Sequence, residues 1–248
     1  MLKEIISSLK TYGKAFNLLN SLKLWSFFAI PILISILIAI IIGFNAYYFS
    51  ENIGNKIASL WQFNWGAEIV STFSNFIGGA IILVFGIIIY KHLVMAFSGP
   101  FMSPVSEKIE AHYNGSVSKD NGLKAFSTSL IRSIKINIRN LGKELLFILP
   151  LFFLSLIPII GIAFSILIFL IQAYYAGFGN MDYTLERHLN YKDSIQFVKK
   201  NRGIAIGNGI GFMLLLLIPI VGFILVLPLS VVAASDKTIH TLNQQVKN

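Results

Sequence analysis

The chain has 248 residues, of which 55% are hydrophobic and only 12% charged, against roughly 25% charged in a soluble domain. A mean hydropathy of +0.73 excludes an ordinary water-soluble fold, and the basic loops of a membrane protein account for the formal charge of +9 better than nucleic-acid binding does. There is no cysteine, which excludes disulfides, thiolate metal sites and cysteine nucleophiles together.

In chain order, a segment bearing Lys3, Lys10, Lys14 and Lys23 precedes a first apolar block at about 24–49. That block is too long for a cleavable signal peptide and is read as a retained anchor. The loop 50–68 carries Lys56 against Glu51 and Glu68. A second block follows at about 69–97, with Lys91 and His92 near its end. The linker 98–144 is basic, and two further apolar blocks lie at about 145–178 and 204–234. Each block exceeds the roughly 20 residues a helix needs to cross the hydrocarbon core. The predicted fold is therefore an all-α integral membrane protein, residues 1–248 forming one membrane domain.

The last two blocks share an internal repeat. Leu156-Ile157-Pro158-Ile159-Ile160-Gly161 recurs as Leu217-Ile218-Pro219-Ile220-Val221-Gly222. Proline lacks a backbone donor, and glycine costs a helix interior about 1 kcal/mol against alanine. Pro158, Gly161, Pro219 and Gly222 thus predict turns, with each block folded into a hairpin. Broken apolar segments at corresponding positions also point to a substrate path. Charge supports the hairpins independently. If each block crossed once, the loop with Arg187, Lys192, Lys199, Lys200 and Arg202 would face outward, against the positive-inside rule. With two hairpins, only 50–68 faces out, and both termini lie in the cytoplasm. At 1.5 Å per residue most arms reach about 18–26 Å, short of a core of about 30 Å, which favours partial penetration over short full crossings.

The stretch 107–144 is partly amphipathic, which suits a surface helix or the cytoplasmic extension of a longer one. Gly203, Gly207 and Gly211 fall on one helical face and predict close helix packing. His92, His112, His188 and His240 are scattered, so neither a metal site nor a cofactor is expected. No nucleophile motif occurs, and the chain reads as no enzyme.

Ser98-Gly99-Pro100-Phe101-Met102-Ser103-Pro104-Val105-Ser106-Glu107 follows the second span. Ser103 can cap a helix starting at Pro104, whose first amides and the Ser106 hydroxyl would receive an anion. A helix break at the membrane surface is the equal alternative. Glu107 opposes such a field unless Lys108 or Arg132 pairs with it. Further on, Asp182 is a candidate partner for Arg187 or another cation.

At these residues the chain resembles the CysZ family of bacterial sulfate permeases, which shares a domain with etoposide-induced proteins of the endoplasmic reticulum. Pro100-Phe101 continuing to Glu107 is similar to the family's Pro-Phe-x-x-x-x-[Ser/Ala]-Glu stretch. Asp182-Tyr183-Thr184-Leu185-Glu186-Arg187-His188 is similar to its Asp-Tyr-Pro-x-Asp-x-His. Ile218-Pro219 and Leu227-Pro228-Leu229-Ser230-Val231 match its last motif, and the order fits from about Lys14 to Ser235. The resemblance implies two long transmembrane helices plus two partly penetrating helix pairs, assembled as a homo-oligomer in the bacterial inner membrane. It implies sulfate uptake for cysteine synthesis without an ATPase, with Ser106 and Glu107 in the sulfate-binding loop. An arginine pair that commonly precedes the family's first span is replaced here by Trp25 and Ser26, leaving Lys23 as the nearest cation.

The resulting expectation is transport of a small inorganic anion, sulfate first, with Ser103, Ser106, Glu107 and Lys23 as the anion-binding set. Pro100, Phe101, Asp182, Tyr183 and His188 carry the family motifs. Sulfate and the lipid bilayer are the partners, with no nucleic acid. The rival reading is a non-transporting oligomeric scaffold that shares the fold.

Overall fold

The computed structural model describes residues 1–59, 67–115, 122–155, 157–218 and 220–246. These residues are helical almost throughout. The elements are α1 (Leu2–Ser21), a 3₁₀ turn (Trp25–Phe28), α2 (Ala29–Ala58), α3 (Ala67–Asn114), α4 (Leu123–Ser155), α5 (Gly161–Leu185), α6 (Tyr191–Lys200), α7 (Arg202–Leu216) and α8 (Val221–Val246). Four of them, α2, α3, α5 and α8, contain stretches long and apolar enough to cross a membrane.

The apolar stretch of α2 shows why this is a lipid-facing fold. Its mean hydropathy reaches 2.9, yet only 17% of that window is buried within the chain. Leu33, Leu37, Ile40, Phe44 and Tyr47 stand exposed along it. In water such a surface would be a large aggregation-prone patch; in a bilayer it meets its own solvent. The opposite side of α2 packs closely on α3. A Cβ on Gly78 would meet the Ser50 carbonyl oxygen at 2.6 Å, and Gly54 and Gly86 lie as tightly against Asn75 and Ile42. Small residues allow this approach, the usual basis of helix association without a hydrophobic driving force.

The two copies of the repeat fall at helix boundaries. The chain turns between α4 and α5 and again between α7 and α8. The conformational work, however, falls on other residues than expected. Ile159 and Ile220 take the left-handed conformation, at φ 70° and 62°, and both side chains are exposed. Gly161 and Gly222 instead open α5 and enter the first turn of α8. They must be glycine because a Cβ there would strike the Ser155 and Leu215 carbonyl oxygens. Their amides close the turns on Ile157 and Ile218, both at 2.8 Å. Pro158 lies in the first turn; Pro219 lies outside the described residues, as do positions 60–66 of the predicted outer loop.

Within the linker 98–144, α3 runs on to Asn114 and α4 starts at Leu123. The amphipathic part is thus the extension of a longer helix. One expectation needs correction: Ser103 caps no helix, because α3 continues through Pro100 and Pro104. A proline removes one internal hydrogen bond but can be tolerated in a membrane helix packed on its neighbours. Ser106 thus lies in the interior of α3 and not in the first turn of a helix, and the amide-cradle argument for an anion there falls away.

The glycine face of α7 packs as predicted, and α1 is what it packs on. Cβ atoms on Gly203, Gly207 and Gly211 would collide with Glu4, Ile5 and Tyr12. Ser8 Oγ donates to the Ile204 carbonyl at 3.0 Å, and Tyr12 to that of Asn208 at 2.6 Å. The other side of α7 crosses α5, where Gly177 and Gly209 abut the Ala205 and Ala173 carbonyls. The core centres on α1, α3, α7 and α8, with Leu19, Phe28, Met95, Met102, Phe212 and Val231 fully buried.

Candidate functional site

Antiparallel packing of α4 on α5, with α3 beside them, brings charged residues together on successive levels. Nearest the hairpin turn, Lys91 Nζ donates to Glu144 at 2.6 Å and to the Gln172 carbonyl at 3.2 Å. His92 Nε2 lies 2.9 Å from the other Glu144 oxygen, and its Nδ1 is 3.3 Å from Asn137 Oδ1. These side chains are 0–2% exposed. Ionisable residues at such depth are expensive and are held only when paired.

Further from the turn, Arg132 on α4 grips Asp182 on α5 with two parallel hydrogen bonds, from Nε at 3.1 Å and Nη2 at 2.9 Å. The same guanidinium donates to the Leu189 carbonyl at 2.7 Å and Ser194 Oγ at 2.6 Å. This fork geometry suits arginine and not lysine. Asp182 therefore pairs with Arg132 and not with Arg187, and Arg132 is not the counter-ion of Glu107.

At the end of α5, Arg187 Nη2 donates to Ser106 Oγ at 2.9 Å and to Glu110 at 2.8 Å. Its Nη1 reaches the Ser103 and Tyr183 carbonyls, each at 3.2 Å. Ser106 Oγ also lies 2.7 Å from Thr184 Oγ1, which donates to Ser235 at 3.2 Å. His188 approaches the Glu110 carboxylate at 3.0 Å. Arg187 Nε is buried with no acceptor among the described residues. Beside this group, the Glu186 carboxylate accepts from Ser103 Oγ and from Ser129 Oγ at 3.1 Å. Burial pushes Glu186 up to about 7; the Ser103 hydrogen bond opposes that shift, Asp182 adds to it, and Ser129 and Arg132 oppose it.

The predicted anion set is thus only partly assembled. Ser103 and Ser106 meet in one polar cluster, on a helix interior. Glu107 is half-buried and forms no ion pair among the described residues. Lys23 stands apart: at φ 52° it ends α1 in the left-handed conformation, with its side chain exposed. The Leu24 amide then bonds back to Leu19 at 2.9 Å, as at many helix C-termini. Of the motif residues, buried Tyr183 ties α5 to α3 by donating to the Met95 carbonyl at 2.6 Å. Phe101 packs edge-on against Phe126 of α4, and Pro100 lies buried within α3.

Sequence reasoning did not identify Arg187, Glu110 and Thr184 as neighbours of Ser106, nor Glu144 as the partner of Lys91 and His92. The signal for Lys91 and His92 was visible, because ionisable residues inside an apolar block are functional candidates by default. The cluster at Ser106 offers hydroxyl and guanidinium donors, the chemistry an oxyanion requires. It also holds Glu110, which occupies part of the guanidinium.

No curated protein matches the chain. The family model described as Sulfate transporter CysZ/Etoposide-induced protein 2.4 matches residues 11–226, which include the Ser103–Glu110 stretch of α3, Arg132 and the end of α5. The chain belongs to that family of membrane proteins.

Proposed function

We propose that the protein carries sulfate into the cell across the bacterial inner membrane, for sulfur assimilation and cysteine synthesis. One observation carries the reading: Arg187 places a guanidinium on Ser106, with its Nε still free of an acceptor. It supplies the cation that Trp25 and Ser26 cannot. Sulfate would bind through Arg187 Nε, Ser106 and Ser103, drawing Arg187 from Glu110. Glu107 and Lys23 belong to the approach rather than to direct coordination, since neither joins the cluster.

In this reading α2 and α3 are the two full spans. The α4–α5 and α7–α8 pairs are hairpins with tips at Ile159 and Ile220 that penetrate from the cytoplasmic side. Both termini are cytoplasmic, and the protein works as a homo-oligomer. The scaffold alternative uses the glycine face of α7 and the hairpins to join subunits and the basic loops to bind anionic lipid; of these, α1 already occupies the glycine face. The donors gathered at Ser106 are what favour transport.

The test is flux of radiolabelled sulfate into liposomes holding purified protein, with chloride and phosphate as comparison ions. Saturable sulfate uptake above empty liposomes supports the proposal. Absence of flux of every anion from folded, oriented protein refutes it and leaves the scaffold.

A further inference from the structure

A second site lies on the other side of the α4–α5 pair, away from Ser106. A cleft of about 600 Å³ opens there between α4, α5 and the start of α7. Its walls include Phe147, Leu170, Ile171 and Ile206, and its mouth carries Lys199 and Arg202. Both cations are exposed, and neither has a carboxylate within ion-pair distance among the described residues. The Tyr174 hydroxyl lines the same cleft. Elsewhere in the same region the deeper cations are neutralised, Lys91 by Glu144 and Arg132 by Asp182. At the mouth of this cleft Lys199 and Arg202 stand together over apolar walls, both without such a partner.

Direction matters as much as charge. Arg202 begins α7, and Ile206 lies one turn deeper, about 6 Å toward the hairpin tips. On α5, Leu167 is about 10 Å deeper than Tyr174. The site thus has cations at one level and an apolar channel leading from them toward the membrane interior. Its opening is at the basic end of the hairpins, the end the positive-inside rule assigns to the cytoplasm. A soluble oxyanion would use the cations and leave the apolar walls idle. A phospholipid uses both, and basic pockets between membrane helices on the cytoplasmic side are suited to anionic head groups.

We infer that this cleft binds an anionic phospholipid, with its phosphate at Lys199 and Arg202 and an acyl chain between Phe147, Leu170 and Ile206. Tyr174 donates its hydroxyl to the same phosphate, at the level where tyrosines commonly meet head groups. The bound lipid closes the open side of the α4–α5 hairpin. The site is independent of sulfate chemistry and remains whether or not the protein transports sulfate.

The experiment measures retention of phosphatidylglycerol over phosphatidylcholine by native mass spectrometry of the full chain in mixed micelles. A cation near an anionic surface contributes about 1 kcal/mol, roughly fivefold in affinity. The double variant K199Q/R202Q should therefore lose about 25-fold in preference for phosphatidylglycerol. The equally charged control K192Q/K200Q, on exposed positions of α6 that do not line the cleft, should lose little. Leu170→Trp keeps all the cations but fills the channel, and it should release the lipid while the protein stays folded. Equal losses in both double variants would mean diffuse surface charge and overturn the site. Undiminished binding in Leu170→Trp, or displacement by millimolar inorganic phosphate, would assign the cations to a soluble anion and overturn the lipid. A dimer that forms through this face and excludes phosphatidylglycerol would give the cleft to a second copy of the chain and overturn it as well.

Discussion

Glu144→Gln is the substitution whose consequence the structure specifies most sharply. Glu144 is the one carboxylate in contact with both Lys91 and His92, at 2.6 and 2.9 Å, and all three side chains are withdrawn from solvent. Glutamine keeps the size and one acceptor but removes the charge. Lys91 is then left with the Gln172 carbonyl at 3.2 Å as its other acceptor, and His92 with Asn137. Removing one partner from a buried ion pair costs about 3–5 kcal/mol, because the other is left uncompensated. That is a substantial share of the 5–15 kcal/mol by which folded proteins are stable. The assay is reversible unfolding in detergent, followed by circular dichroism, for the single variants and the pair. Glu144→Gln, Glu144→Met and Lys91→Met should each lose several kcal/mol. The double variant Lys91→Met/Glu144→Met should recover most of the loss, since an apolar pair of similar volume replaces a desolvated one at little net cost. If Glu144→Gln unfolds at the wild-type midpoint, or the losses simply add, the pairing of α3 with α4 through this carboxylate is refuted.

Glu186 gives a pH dependence with a definite sign. Its carboxyl is raised from 4.5 to about 7, so the fold holds the proton more tightly than the unfolded chain does. Its stabilising contribution is complete below pH 4.5 and is lost as pH rises through about 7. The melting temperature should fall between pH 5 and 8, and Glu186→Gln should flatten that slope; an unchanged slope contradicts the assignment. Gly209→Ala drives a methyl into the Ala173 carbonyl where α5 crosses α7, whereas a Cβ on Gly142 meets nothing within 4 Å. The first should destabilise by about 1–3 kcal/mol and the second stabilise by up to about 1 kcal/mol, both read by thermal unfolding. Asp182→Asn breaks the fork with Arg132 and should loosen the end of α5, read as faster amide exchange from Asn180 to Leu189 relative to α2; equal exchange would contradict that role.

The fold was legible in the sequence where the membrane imposed simple rules. Apolar length marked α2 and α3, and the repeated Pro-x-x-Gly marked the places where α4 meets α5 and α7 meets α8. The turn geometry was less legible, because the glycines serve close approach to Ser155 and Leu215 while isoleucines take the left-handed angles. Pro104 misled as a helix start. Its local preference for a first-turn position is real, but packing against α4 and α5 carries α3 past it. The polar cluster was hidden for a different reason. Arg187 and Ser106 stand 81 positions apart, and Lys91 and Glu144 stand 53 apart. No periodicity within one helix connects such residues. Only the packing of α3 against α4 and α5 brings them to the same level.

The central claim is that Arg187 supplies the positive charge for the transported anion at Ser106. Its most direct test is concentration-dependent sulfate flux in liposomes for the wild type, Arg187→Gln and Arg187→Lys, with Gly142→Ala as a folded control. The account predicts saturable wild-type flux, lost at least tenfold in Arg187→Gln. Arg187→Lys should regain part of it at a raised KM, because lysine keeps the charge without the fork of donors. Undiminished sulfate flux in folded Arg187→Gln would contradict the account and move the anion path away from Ser106.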